Sequence, residues 1–110
     1  MAFDEELAQR VRDLLDGQPD VTERRMFGGI GFMVGGNMCC GVIGEDLMVR
    51  LDPEQAERLM ESEPGARPFD FTGRPMRGWL YVSPTVVAED ADLREWVGRA
   101  EDFASSLPAK

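Results

Sequence analysis

The side chains best suited to chemistry in this sequence are two adjacent thiols, Cys39 and Cys40. A thiolate acts as a nucleophile, a redox centre or a ligand for soft metal ions. Neighbouring residues rarely satisfy disulfide geometry, so we expect both thiols to be free. The pattern favours two small hydrophobic residues within a buried strand, one on each face of the sheet.

Two chemical alternatives for these thiols are open. A redox role would need a cation that stabilises the thiolate, and Arg25 and Arg50 are the nearest candidates in the sequence. A Cu(I) site would combine the thiols with thioether sulfurs, because soft sulfur suits that ion. The nearby thioethers are those of Met33, Met38 and Met48. Either alternative would make Cys39 and Cys40 a thiol-based redox or binding site.

Histidine is absent from the 110 residues, which removes the commonest general base and the commonest zinc ligand. A Ser-His-Asp or Cys-His catalytic site therefore cannot form within this sequence, and two sulfurs fall short of a closed zinc site. Asp and Glu total 21, so close carboxylate pairs are unavoidable and do not indicate an acid–base site. We expect a protein that is not an enzyme and that holds no cofactor and no metal.

A glycine-rich stretch, GGIGFMVGG at 28–36, invites comparison with phosphate-binding loops. The dinucleotide fingerprint requires Gly or Ala where Val34 stands. The P-loop spacing that starts at Gly36 requires lysine where Val42 stands. The glycines therefore predict bends and close approach of strands in a twisted sheet, rather than a nucleotide site.

The charge balance argues against polyanionic partners. Lys and Arg total 12 against 21 Asp and Glu, a net charge of −9, whereas binding to nucleic acid or an anionic membrane depends on clustered cations. The first residues are acidic and do not resemble an export signal. No apolar stretch reaches the ~20 residues that cross a bilayer. With free thiols, these features predict a cytoplasmic protein without membrane partners.

Hydrophobic periodicity predicts amphipathic helices over 3–16, from Asp52 to about Glu63, and over about 90–106. Short apolar runs between glycines predict strands over 24–27, 30–34, 39–43 and 47–51, with hairpin turns at 35–37 and 44–46.

The second half of the chain adds a strand over 76–82, a loop or short strand over 69–72 and a frayed tail over 107–110. The order is helix, three or four strands, helix, one or two strands, helix. It predicts a single domain over 1–110, ordered over about 3–107, with an α+β fold in which helices flank an antiparallel sheet.

Alternation along the strands separates two faces of this sheet. Leu47, Val49, Leu51, Leu80 and Val82 share one face, which we assign to the core beneath the helices. The other face carries large rings, methionine and arginine, a composition typical of protein interfaces. We predict that a protein partner binds through Arg25, Met48, Arg50, Arg77, Trp79 and Tyr81.

Two other uses of this second face are open. A terminal helix could wrap round and cover part of it, leaving the arginines at the rim. The rings could also stack on nucleobases, but the acidic helices beside the sheet oppose binding to nucleic acid.

Several segments of the chain form a more specific pattern. RMFGGIGFM stands at 25–33, LMVRL at 47–51, PFDFTG at 68–73, MRGWLYV at 76–82 and LREWV at 93–97. Together they resemble the N-terminal domain of the TfoX/Sxy family of competence regulators. The resemblance covers about residues 3–107, and its glycine motif consists of Met26, Phe27, Gly28, Gly29 and Gly31.

The resemblance implies a two-layer α+β fold similar to that of secretion chaperones. Those chaperones often dimerise, which adds a homodimer to the expected assemblies. In the family, the glycine motif would shape the first strand and its turn. The resemblance implies no catalytic residues.

Full-length members of the family regulate natural competence, together with the cyclic-AMP receptor protein, and carry a second, helical domain. These 110 residues do not include that domain, so we expect a stand-alone copy of the N-terminal one. The resulting prediction is a non-enzymatic protein-binding module of the competence-regulator type. A small-ligand or soft-metal binding protein and a thiol redox protein are the alternatives.

Overall fold

A computed structural model describes residues 3–26, 28–70, 73 and 76–109. Within these residues the chain forms a helix, four strands, a helix, two strands and a helix, which confirms the predicted α+β order. The helices are α1 (Glu5–Leu15), α2 (Pro53–Ser62) and α3 (Asp90–Ser106). The strands are β1 (Val21–Met26), β2 (Gly29–Val34), β3 (Asn37–Ile43), β4 (Asp46–Arg50), β5 (Ala66–Pro68) and β6 (Trp79–Val82).

The strands form one antiparallel sheet in the order β1-β2-β3-β4-β6-β5. Tight turns join β2 to β3 and β3 to β4, so the first four strands are a meander. The first turn is Gly35-Gly36, where φ is 59° and 82°, values that glycine adopts without strain. Asn37 and Asp46 were expected in the turns, but each is the first residue of a strand.

Helices α1 and α2 each begin after a capping aspartate. Asp4 accepts a hydrogen bond from the Leu7 amide at 3.1 Å and so caps α1. Asp52 caps α2 in the same way, accepting from the Glu54 amide at 3.1 Å. Helix α1 is shorter than predicted, because Phe3 forms a bridge with Gly44 of the sheet instead of a helical turn.

The connection between β5 and β6 differs from the predicted one. The short strand is Ala66–Pro68, not 69–72, of which residues 71 and 72 lie outside the described part. Strand β6 starts at Trp79 rather than at 76, because Gly78 has a φ of 90° and ends a turn there. Phe27, the predicted end of the first strand, also lies outside the described residues.

The main core lies between one face of the sheet and all three helices. It includes the predicted set from β4, β6 and the residue that follows β4, namely Leu47, Val49, Leu51, Leu80 and Val82, each at most 1 % exposed. The largest helical contribution comes from α3, through Leu93, Trp96, Val97, Ala100 and Ala104. The assignment of this face to the core is thus confirmed. None of the described helices is long and apolar enough to cross a bilayer.

A bulge in β3 corrects the prediction that Cys39 and Cys40 point to opposite faces. Phe32 pairs with Cys40, but the next residue, Met33, pairs with Met38, so Cys39 is the extra residue. Both thiols are therefore buried in the main core, while Met38 turns to the other face. Beyond the bulge, Asn37 donates from Nδ2 to the Pro108 carbonyl at 2.9 Å, which fixes the tail that was expected to fray.

Candidate interaction face

The second face of the sheet carries its own hydrophobic cluster, which contains no residue of a described helix. We call it the methionine face. Met38, Met48 and Phe69 are its buried members. Its partly buried members are Met26, Met33, Ile43, Met76, Trp79 and Tyr81. The alternative that a terminal helix covers this face is wrong for the described residues, because α1 and α3 both pack into the main core.

Two glycines form the floor beneath these methionines. A Cβ at Gly31 would lie 2.7 Å from Met38 Cε and 2.9 Å from Met26 Sδ. A Cβ at Gly41 would lie 2.5 Å from the Ile30 carbonyl oxygen and 3.0 Å from Met48 Cε. The absence of side chains at these positions lets the thioethers lie flat on the sheet. Gly31 of the glycine motif therefore makes room for the packing of Met38 and Met26.

Phe69 closes the centre of the methionine face. Its ring is fully buried, with its centroid 5.7 Å from that of Trp79 and 4.8 Å from that of Tyr81. The backbone fixes this position, because the Phe69 amide donates to the Trp79 carbonyl at 3.1 Å and the Phe69 carbonyl accepts from the Met76 amide at 2.9 Å. Trp79 and Tyr81 remain half-buried and present the rest of their surface to solvent.

Two arginines lie against these rings, and a third, Arg77, pairs with helix α2. The Arg67 guanidinium lies 2.8 Å from Asp46 and 5.2 Å from the Tyr81 ring centroid. Arg77 is exposed and lies 3.2 Å from Glu57 of α2. Arg50 ends β4 and lies 5.6 Å from the ring centroids of both Trp79 and Phe103. Aromatic and arginine side chains that are exposed together are the residues that contribute most to binding at protein interfaces.

The predicted contact residues are thus only partly brought together. Arg50, Trp79 and Tyr81 lie on or beside the methionine face, whereas Arg77 lies in the turn before β6 and contacts Glu57 of α2. Met48 belongs to it but is 0 % exposed, because Phe69 and its neighbours cover it, so it does not reach a partner in this conformation.

Arg25 lies on the helix side of the sheet, away from this face. Its register partner is Ile30 of the main core, and its guanidinium lies 5.2 Å from the Phe3 ring centroid. There it lines a groove of about 490 Å³ between α1 and β1. Arg12 and Glu23 on the wall of that groove form an ion pair at 2.7 Å, which lowers the pKa of Glu23. Arg25 is therefore not part of the same surface as Trp79.

Sequence reasoning missed Phe69 and Arg67. Both lie in or next to the short strand β5, which was expected three residues later, and this displacement removed the alternation that would have placed them. Once the strand pairing is known, the glycines opposite Met26 and Met48, which are Gly29 and Gly41, indicate the cluster.

The environment of the two thiols is that of buried cysteines that serve packing. Cys39 and Cys40 are both 0 % exposed. A hydrogen bond to Cys39 raises the pKa of the Cys40 thiol well above its usual value, and burial and the Glu101 carboxylate raise it further. A raised pKa keeps the thiol protonated, the opposite of what a redox nucleophile needs. In the described part of the chain, no three His, Cys, Asp or Glu side chains are grouped so as to hold a metal ion.

Known protein sequences and families provide independent information on the family of this chain. No significant match was found among curated protein sequences. The family model for the TfoX N-terminal domain matches residues 13–104, which include all six strands and most of the main core. The resemblance seen in the sequence is thereby confirmed, and the chain belongs to the TfoX N-terminal domain family.

Proposed function

We propose that this chain is a non-enzymatic module that binds a protein partner through the methionine face, as part of competence-type gene regulation in the cytoplasm. Membership of the TfoX N-terminal domain family supports the regulatory setting. The observation that carries the binding role is the half-buried pair Trp79 and Tyr81, flanked by Arg50 and Arg67 on a sheet face that no described helix covers.

The composition of this face fits protein better than other ligands. Methionine side chains adapt to different partner shapes, and Trp, Tyr and Arg supply most of the energy at interfaces. The net charge of −9 disfavours nucleic acid, whose phosphates would be repelled by the acidic helices. Burial of Cys39 and Cys40 disfavours both thiol-based alternatives.

The experiment is selection of a phage-displayed random peptide library on the immobilised chain. Enriched peptides should lose about tenfold or more in affinity for the double variant Arg77→Ala/Trp79→Ala, because truncation of a hot-spot residue costs about 2 kcal/mol or more. The matched control Arg58→Ala/Arg94→Ala removes two exposed arginines of α2 and α3 and should bind like the wild type.

Two further measurements keep the experiment decisive. Melting curves must show that the double variant is folded. The charge reversal Arg67→Glu/Arg77→Glu leaves the rings in place, replaces exposed side chains and should weaken the same peptides. Peptides that bind all variants equally, or the absence of any enriched peptide, would overturn the proposal.

A further inference from the structure

Arg50 has an unusual setting at the end of the methionine face. It is the last residue of β4, is half-buried, and lies with its guanidinium 5.6 Å from two ring centroids, those of Trp79 on the sheet and Phe103 on α3. It therefore stands where the helix layer meets the open face. Cation–π contacts with two rings hold the guanidinium in place without using its N–H donors.

The other half-buried arginines of the described chain each have a carboxylate. Arg10 lies 3.1 Å from Asp90 and Arg12 lies 2.7 Å from Glu23, while Arg99 pairs with Glu95. Arg50 forms no ion pair with any described residue. A guanidinium that is partly withdrawn from water gains most from a carboxylate, which accepts two parallel hydrogen bonds from it.

We propose that Arg50 is the binding site for a carboxylate of the partner protein, an Asp or Glu side chain next to an apolar residue that rests on Trp79. This inference rests on the proposed function of the methionine face and names the chemistry of its partner. The two rings pre-orient the guanidinium, so little side-chain entropy is lost when the ion pair forms.

A single carboxylate fits this position better than a polyanion does. The chain carries 21 acidic residues, so an extended phosphate backbone would meet repulsion from the helices on either side. One acidic residue at Arg50 is separated by the length of β4 from Asp46, whose carboxylate is already paired with Arg67. The partner segment is therefore expected to be mixed in character, with one acid between hydrophobic residues.

The site is tested directly by NMR titration of the full chain with N-acetylglutamate N-methylamide. The amide analogue N-acetylglutamine N-methylamide is the control. The glutamate compound should shift the Arg50 Nε–Hε and Trp79 indole signals in a saturable manner, and the amide should bind about tenfold more weakly or worse, since it lacks the charge-assisted hydrogen bonds. The Trp79 shift should vanish in Arg50→Gln and weaken in Arg50→Lys, while Arg94→Gln should leave it unchanged.

The two proposals fail in different ways. Equal shifts at Arg50 and at exposed arginines such as Arg58, or no saturable shift at Arg50, would overturn the carboxylate site. Selected peptides that need Trp79 but keep their affinity when each Asp and Glu is changed to Asn and Gln would also overturn it, and would leave the proposed function standing. The supporting result is that this change in the peptides weakens their binding to the wild-type chain but not to the Arg50→Gln variant.

Discussion

The two floor glycines of the methionine face should respond very differently to alanine. At Gly41 a Cβ would lie 2.5 Å from the Ile30 carbonyl oxygen, a backbone atom that cannot retreat without moving β2. At Gly31 the close atoms, at 2.7 and 2.9 Å, are the far ends of Met38 and Met26, which can rotate away. Overpacking costs about 1–3 kcal/mol and occasionally more, so we expect about 3 kcal/mol for Gly41→Ala and about 1 kcal/mol for Gly31→Ala.

The measurement is urea unfolding of both variants. Their free energies of unfolding are compared with the same dependence on urea concentration. Gly98→Ala is a matched control, because Gly98 lies in α3 with nothing within 4 Å of the added Cβ. It should stabilise the protein by about 0.5–1 kcal/mol through helix propensity. Equal destabilisation by Gly31→Ala and Gly41→Ala would refute this expectation, because the methionine side chains would then be as rigid as the backbone.

Three shorter predictions concern other parts of the structure. Phe69→Ala should cost about 3–5 kcal/mol and increase binding of a hydrophobic dye, because it uncovers Met38 and Met48; a variant as stable as wild type would contradict this. Burial and the Asp102 carboxylate raise the pKa of Glu101 in the folded protein. The contribution of protonated Glu101 to stability is therefore fully present below the unfolded-state pKa of about 4.3, and it is lost as the pH rises through the higher folded-state pKa. Glu101→Gln should therefore gain stability over wild type between pH 4 and 7 in urea titrations, and a constant difference would count against it. Native Cys40 should react with iodoacetamide more slowly than free cysteine, as followed by mass spectrometry; faster labelling would revive the redox alternative.

Most of the fold could be predicted from the sequence, because the helix starts and the alternation along the strands all indicate the same α+β order. Asp52 followed by Pro53 marks the start of α2, and alternation separated Leu47 and Val49 from Met48. These signals depend only on neighbouring residues, so a single sequence contains them. The two faces of β4 and β6 were therefore assigned before any pairing was known.

The methionine face could be predicted less well, because it depends on the strand register and on the loop that follows β5. The extra residue at Cys39 puts Cys39 and Cys40 on the same face and turns Met38 to the other one, and no local pattern shows a bulge. Phe69 reaches the centre of the methionine face through backbone hydrogen bonds to residues that follow it in the chain. Arg25 looked like a member of the same surface in the sequence, but its pairing with Ile30 assigns it to the other face.

The contrast between the two faces supports the binding role proposed for the methionine face. The main core is filled by branched and aromatic side chains locked between the sheet and the helices, so a partner would have to displace a helix to reach it. The methionine face is filled largely by flexible thioethers lying on Gly31 and Gly41, with the Phe69 ring at its centre. Such a surface can change shape without breaking the sheet, because the atoms that move are side-chain ends. Under the proposed function, the arginines beside these adaptable methionines would combine a specific charged contact with a compliant apolar one, as recognition of a short mixed segment requires.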